Sequence, residues 1–475
     1  MSRLCPLGGV AILIGVAIAG PCPAQLQSTL QAPATTGPAL RESSSAFDAA
    51  RGVTVLFAGL RLGFLRNEIY EWDGTDWSVS TVFPRPGPRG RPAIEFDAAR
   101  GEIVMFGGVT SSGVFLNDTA RYTGAAFPTA TPATSPSARS GAAMAWDGDR
   151  QLIVMFGGFV AGGTDINDTW EWDGTNWTLR QAANTPGAPG PRGAHRLVYD
   201  PDRQQVVMFG GFSTPQFGTL NDSWQWNGTT WSALPTSNTP QRRCDQVMVF
   251  DSRRGRVLMY GGLTAFQQPG NIPVVLGDCW TLTAAGWEQK TVPGLPSPRS
   301  YALGAYDQQR DEIVMHSGFD NVTTTFSDTY LVQTTAPADM QAYGAGCTGS
   351  NGVPQLDAVS LPWLADDYSV AVSNVPGSTL GFMTLGLSAT VWNGMPIPVD
   401  LTSFGLAGCD AWLGPNFSTV FVVQNGAGEW GTSVCNCAFA IGVQFSLQAL
   451  VLDPGAPNTL GATMSNAQRA TIGAW

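Results

Sequence analysis

Histidine is nearly missing from this 475-residue chain, which carries only His195 and His316. Two imidazoles are barely enough for a copper centre, because imidazole is the usual ligand of that metal. Charge is scarce as well, at 13% of residues, with a net charge of -11 and a pI near 4.6. Phosphate backbones demand clustered Lys and Arg, so this balance argues against a nucleic-acid partner. Helical periodicity is absent, and no apolar run is long enough to span a bilayer. The chain is instead rich in turn formers, 57 Gly and 33 Pro, and in Trp, with 16. That composition belongs to a turn-rich all-β protein.

The first 24 residues have the layout of an export signal: Arg3, an apolar stretch over residues 8–20 and a small-residue cleavage site at Ala24. Lipid attachment at Cys22 is the competing reading, and Pro21 stands where such signals carry a small residue. Export places the mature chain outside the cell and leaves six cysteines, Cys244, Cys279, Cys347, Cys409, Cys435 and Cys437. An even number in an oxidising compartment makes all six disulfide candidates.

A repeat dominates the middle of the chain. An apolar strand ending in an aromatic and glycine recurs at Phe57-Ala58-Gly59, Phe106-Gly107-Gly108, Phe156-Gly157-Gly158, Phe209-Gly210-Gly211, Tyr260-Gly261-Gly262 and His316-Ser317-Gly318. The steps are 49, 50, 53, 51 and 56 residues, the length of a propeller blade. Each unit also has an upstream strand closing on aromatic-Asp, as at Phe96-Asp97 and Trp146-Asp147, followed by turn residues. Downstream come Asn-Asp-Thr or a relative, a third-strand aromatic (Tyr70, Trp170, Trp224, Trp280, Tyr330), and a fourth-strand aromatic (Trp77, Phe127, Trp177, Trp231, Trp287). Four antiparallel strands in each of six units predict a six-bladed β-propeller.

The double glycine, third-strand aromatic and fourth-strand Trp, recurring in register, resemble the kelch-repeat family over about two thirds of the chain. The last unit lacks a fourth-strand Trp, and the segment over residues 26–33 resembles the strand at Trp177. The N-terminal segment is therefore expected to complete the sixth blade, giving a propeller over residues 25–336. Residues 337–475 have short apolar runs separated by Gly, Pro and Asn, which read as a smaller β-sandwich or jelly roll. This part resembles a small C-terminal module of diverse secreted bacterial proteins, and its position suggests cell-surface attachment.

An arginine stands eight residues before the first-strand Asp in five units: Arg89, Arg139, Arg192, Arg243 and Arg299. The kelch resemblance implies that this loop opens on the ligand-binding face, where a ring of guanidiniums could hold carboxylates or anionic sugars. The competing reading is structural, each arginine tying its loop to neighbouring backbone carbonyls. His195, on an inner strand, could line the channel, whereas His316 replaces a packed aromatic. The fifth unit has the longest insertion on the same face, with Phe266, Gln267 and Asn271 as candidate contacts and Cys244 and Cys279 placed to brace it. No nucleophile, base and acid set stands out, and no cofactor or metal is expected. The sequence reads as an extracellular module binding a protein or glycan. The alternative is a carbohydrate-active enzyme at the channel mouth, for which the kelch resemblance brings galactose-oxidase-like oxidases, epimerases or lyases.

Overall fold

A computed structural model describes residues 26–216, 218–235, 238–264, 273–283, 286–334, 339–362, 367–392, 395–433 and 443–472. The chain divides into two compact units, Gln27–Gln333 and a second running from Thr334.

The first unit is a ring of six four-stranded antiparallel sheets. Blade 1 comprises Ser44–Asp48, Val53–Arg61, Phe64–Trp72 and Trp77–Val79, and blade 3 comprises Ala143–Asp147, Leu152–Val160, Thr164–Trp172 and Trp177–Gln181. In blade 6 the N-terminal strand Leu26–Leu30 pairs with Thr329–Thr334, outside Glu312–His316 and Leu303–Asp307. The first strands of successive blades lie side by side around the axis, and those of blades 6 and 1 meet.

Each blade hides its apolar faces only against its neighbours, so the cores lie between sheets. One core joins Val55 and Phe57 of blade 1 to Ile103, Met105 and Tyr122 of blade 2, and another joins Val104 and Phe106 to Met155, Trp172 and Trp177 of blade 3. Burying one such Val, Ile or Met side chain contributes about 1.5–3 kcal/mol. A buried Trp usually finds an acceptor for its indole N–H, and four fourth-strand Trp do so here. That acceptor comes from the preceding blade: Trp177 donates to Thr119, Trp231 to Thr169, Trp287 to Ser223 and Trp77 to Thr329, at 2.8–3.0 Å. Where blade 2 has Phe127, which needs no acceptor, the matching position is Ile69 in the same core. Cys279 occupies this position opposite Tyr260, where Phe156 faces Thr169, and the blade that follows it has no Trp in register.

The seam between blades 6 and 1 has its own chemistry. Ser317 accepts from the Leu40 amide at 2.7 Å and donates to the Leu40 carbonyl at 2.6 Å. His316 is buried, stacks on Trp77 at 4.5 Å, and is hydrogen bonded to Thr329 and the Pro38 carbonyl.

The second unit holds one eight-stranded sheet in the order Asp339–Tyr343, Ala462–Thr471, Gln444–Leu452, Ser378–Gly386, Phe417–Gln424, Ala427–Ser433, Asp367–Ser373, Gln355–Ala358. It curls until Gln355–Ala358 returns beside Ala462–Thr471, which nearly closes it. Tyr368, Met383, Phe421, Trp430 and Leu447 fill its interior. Cys347 and Cys409, 62 residues apart, form a disulfide. Closing a loop of that length restricts the unfolded chain by roughly 4 kcal/mol. The pairing expected between Cys244 and Cys279 does not occur: both are buried free thiols, Cys279 packed in a blade core and Cys244 beside the Asp245 carboxylate. Cys435 and Cys437 lie outside the described residues.

Two outcomes follow. Alkylating the unfolded, unreduced protein labels Cys244 and Cys279 and spares Cys347 and Cys409, and a crosslinked Cys244–Cys279 peptide would contradict this assignment. Burial pushes the His316 pKa down from 6.5 to about 4, so the unfolded chain takes up this proton first as pH falls. The stability held above pH 6.5 is then lost between pH 6.5 and about 4, by up to about 3 kcal/mol. In urea titrations across this window, His316→Phe should show a shallower fall than wild type, and an equal slope refutes it.

Candidate functional site

The five arginines turn into the blades, away from the channel. Their exposures are 3% or less, and each side chain binds within its own blade. Arg139 donates to the Gly157 carbonyl at 3.0 Å and to both carboxylate oxygens of Asp168, at 2.5 and 2.9 Å. Arg192 with Asp222, Arg243 with Asp278 and Arg299 with Asp328 repeat this fork, and Arg89 reaches Asp118 through one nitrogen. The main chain of the same arginines binds the preceding blade. The Arg139 amide donates to the Leu116 carbonyl, and its own carbonyl accepts from Gly108. Each arginine is thus a stitch, its backbone held by one blade and its guanidinium by the next.

The stitch explains the double glycine. A Cβ on Gly107, whose φ is +63°, would lie 2.5 Å from the Arg139 carbonyl oxygen, so a side chain at this position would crowd the next blade. The structure therefore corrects the ligand-binding reading of Arg89, Arg139, Arg192, Arg243 and Arg299, because a buried guanidinium already paired with a carboxylate of its own blade is not available to a ligand.

A second arginine set, unremarked in the sequence, works at the opposite ends of the strands. Arg100, Arg150, Arg203, Arg254 and Arg310 pair with the Asp three residues earlier. Several also reach the following blade: Arg203 donates to the Thr283 carbonyl, Arg254 to Asp311 and Arg310 to the Gly52 carbonyl.

The open site lies at the channel mouth where the first strands begin. Glu42, Arg91, Gly141, Ala194, Asp245 and Tyr301 occupy one position in the six blades, and all have φ between +52° and +64°. Left-handed backbone costs a non-glycine residue about 1–2 kcal/mol, and here it aims each amide at the blade before. Arg91 donates to the Glu42 carbonyl, Gly141 to Arg91, Ala194 to Gly141, Asp245 to Ala194 and Tyr301 to Asp245, at 2.7–3.0 Å. This chain of bonds encircles a cavity of about 100 Å³ lined by Glu42, Arg91, Arg196, Asp245 and Tyr301.

Two carboxylates and two guanidiniums face this cavity. Arg91 pairs with Asp245 at 3.5 Å and donates to the Tyr301 hydroxyl at 2.6 Å. Burial opposes the Arg91 charge, but Asp245, Tyr301 and Glu42 outweigh it and raise the pKa. Burial lowers the Arg196 pKa, and its Nε donates to the Gln246 carbonyl. At the strand ends beside this polar centre, Leu60, Val109, Phe159, Phe212, Leu263 and Phe319 each bridge the residue entering a first strand, a collar of apolar positions with one from each blade, and the Arg91 guanidinium lies 5.8 Å from the Phe159 ring.

His195 does not line the channel. Its neighbours Ala194 and Arg196 do, while its ring is fully buried edge-on against Phe156 at 5.5 Å. Burial, then the charges of Arg192 and Arg196, hold its pKa well below the ordinary value. Phe266, Gln267 and Asn271 lie outside the described residues. On the inner strand of blade 2, Glu95 takes a position held by Ala or Val in the other blades, and burial pushes its carboxyl up to about 7. No group of three or more His, Cys, Asp and Glu able to hold a metal occurs among the described residues.

Removing one stitch strands a buried carboxylate. Arg139→Ala is expected to cost about 3–5 kcal/mol in urea unfolding, and a loss under 1 kcal/mol would show that the fork does not hold the ring.

Residues 45–262 match the family model described as the KLHDC2/KLHL20/DRC7 Kelch-repeats domain. No curated protein matches the chain. The solved structure of YjhT is similar at 14% identity and a TM-score of 0.48, covering 63% of this chain and 96% of YjhT. With six four-stranded blades, four of them carrying the double glycine, the propeller of this chain is similar to that Kelch-repeats domain over residues 45–262.

Proposed function

We propose that the protein is an extracellular binding module whose propeller captures a polar group of a protein or glycan at the collared channel mouth. The carrying observation is the asymmetry of that mouth. A rigid, sixfold frame surrounds side chains that differ from blade to blade: acid, base, small, small, acid and phenol in turn. Repetition builds the scaffold, and variation at a fixed frame position is what recognition of one particular ligand requires. The collar supports the same reading, since Phe159, Phe212 and Phe319 can pack against apolar side chains or sugar faces around a hydrogen-bonded centre. Kelch propellers suggest protein partners; a glycan partner, export and a surface-attachment role for the C-terminal unit belong to the proposal.

Peptide and glycan arrays probed with wild type and with Glu42→Gln,Arg196→Gln test it. Among the described residues neither side chain has an ion-pair partner to leave stranded, so the variant should fold and lose at least tenfold in affinity for whatever wild type retains. Unchanged binding by a folded variant would remove the mouth from consideration.

A further inference from the structure

Blade 1 lacks a stitch. Leu40 stands where the other five blades have the forked arginine, Ala58 replaces the first glycine, and Glu68 takes the place of the partner Asp. The Glu68 Oε2 is shielded from solvent and has no hydrogen-bond partner. The arginines near this blade are also unlike the rest. Elsewhere in the propeller most arginines are paired with carboxylates, whereas Arg41, Arg61, Arg66 and Arg85 have none within ion-pairing distance among the described residues, Arg61 donating to the Tyr70 hydroxyl and Arg41 lying over the Phe319 ring.

These four are contiguous. Arg41 bridges Leu60, Arg61 faces Phe64 across the hairpin, Arg66 faces Gly59, and Asn67 donates to the Pro86 carbonyl beside Arg85. Three large apolar side chains stand among them almost fully in water: Leu62 at 82% exposure, Phe83 at 72% and Phe64 at 68%. The Arg85 guanidinium lies 4.3 Å over the Phe83 ring and that of Arg66 5.8 Å from Phe64, so two cations are already held on aromatic faces. Arg66 Nε and Arg85 Nε and Nη1 are shielded from solvent with no acceptor. A carboxylate arriving there would gain hydrogen bonds to donors that have already lost their water.

From these observations we propose that the hairpin joining the second and third strands of blade 1, with the loop over residues 83–85, docks a short acidic segment of a partner protein, with apolar side chains alternating with its carboxylates. The apolar residues cover Leu62, Phe64 and Phe83, and the carboxylates meet Arg66 and Arg85. The net charge of -11 sets the length. One hairpin and one loop carry the positive charge, so an extended polyanion such as nucleic acid would run off the patch onto an acidic molecule that repels it. This surface adjoins the channel mouth through Arg41, which bridges Leu60, but Leu62, Phe64, Phe83, Arg66 and Arg85 do not line the mouth cavity.

Selection of a phage-displayed random 12-residue library on the full chain tests the proposal. Enriched peptides should combine Asp or Glu with Leu, Ile or Phe, and bind at least tenfold more weakly when salt rises from 50 to 500 mM. Arg66→Glu,Arg85→Glu and, separately, Leu62→Ser,Phe64→Ser should each weaken them tenfold or more with unchanged far-UV circular dichroism and melting. Leu179→Ser, an exposed change on blade 3, should not. Basic or uncharged selected peptides would overturn the proposal, as would peptides that bind all variants alike. Loss confined to Glu42→Gln,Arg196→Gln would overturn it while supporting the mouth, and tighter binding of oligo-dT or of phosphatidylserine vesicles would replace the partner class.

Discussion

A guanidinium forked onto a carboxylate while its own backbone is held by the adjoining sheet is the interaction on which this propeller rests. Hydrophobic contact is strong but non-directional, and it alone would let blades slide. The fork fixes angle as well as distance. Because the Arg139 main chain is bonded to blade 2 and its side chain to blade 3, the two blades cannot shift without breaking charge-assisted bonds in a nearly dry setting. The glycines at 107 and 108, the Asp at the third strand and the arginine are thus one device distributed over two blades.

Once the frame is rigid, the residues on its inner edge are free to differ. Glu42, Arg91, Asp245 and Tyr301 share one backbone conformation and one hydrogen-bonding role but not one chemistry. Stability comes from what is common to the blades, and recognition from what is not. Blade 1 carries this furthest. With Leu40 in the core beside Tyr70 and Trp72, it joins blade 6 through apolar contact and Ser317, with no arginine fork at that seam.

Much of the frame was legible in the sequence, because aromatic-Gly-Gly and aromatic-Asp mark strand ends at fixed steps, and the missing Trp of the last unit pointed to the N-terminal strand. The role of the arginines was not. Their spacing is local, but their partners, such as Asp168 for Arg139, lie about thirty residues away and become neighbours only when the sheet forms. The third-strand Asp was visible only as part of the Asn-Asp-Thr mark, since one half of a fork gives no sign of the other. The mouth was hidden for a different reason: of its six left-handed residues only Gly141 is a glycine, so the usual mark of positive φ is missing five times. In the C-terminal unit, Ala462–Thr471 was legible only at its end, because Thr463, Ser465, Asn466 and Gln468 are buried and erase the apolar alternation. Their hydrogen bonds, such as those of Asn466 and Gln468 to Leu356, are tertiary and leave no local trace.

The central claim is that the blades are locked at their seams through the glycine amides that bind the arginine carbonyls of the next blade. Native-state hydrogen exchange at Gly59, Gly108, Gly158, Gly211 and Gly262 measures this directly. These amides should exchange only as slowly as the central strands such as Ile103–Phe106, by opening of the whole ring. Fast exchange at these glycines, typical of loop ends and independent of global unfolding, would mean that the seams open on their own and that the stitches do not hold the propeller together.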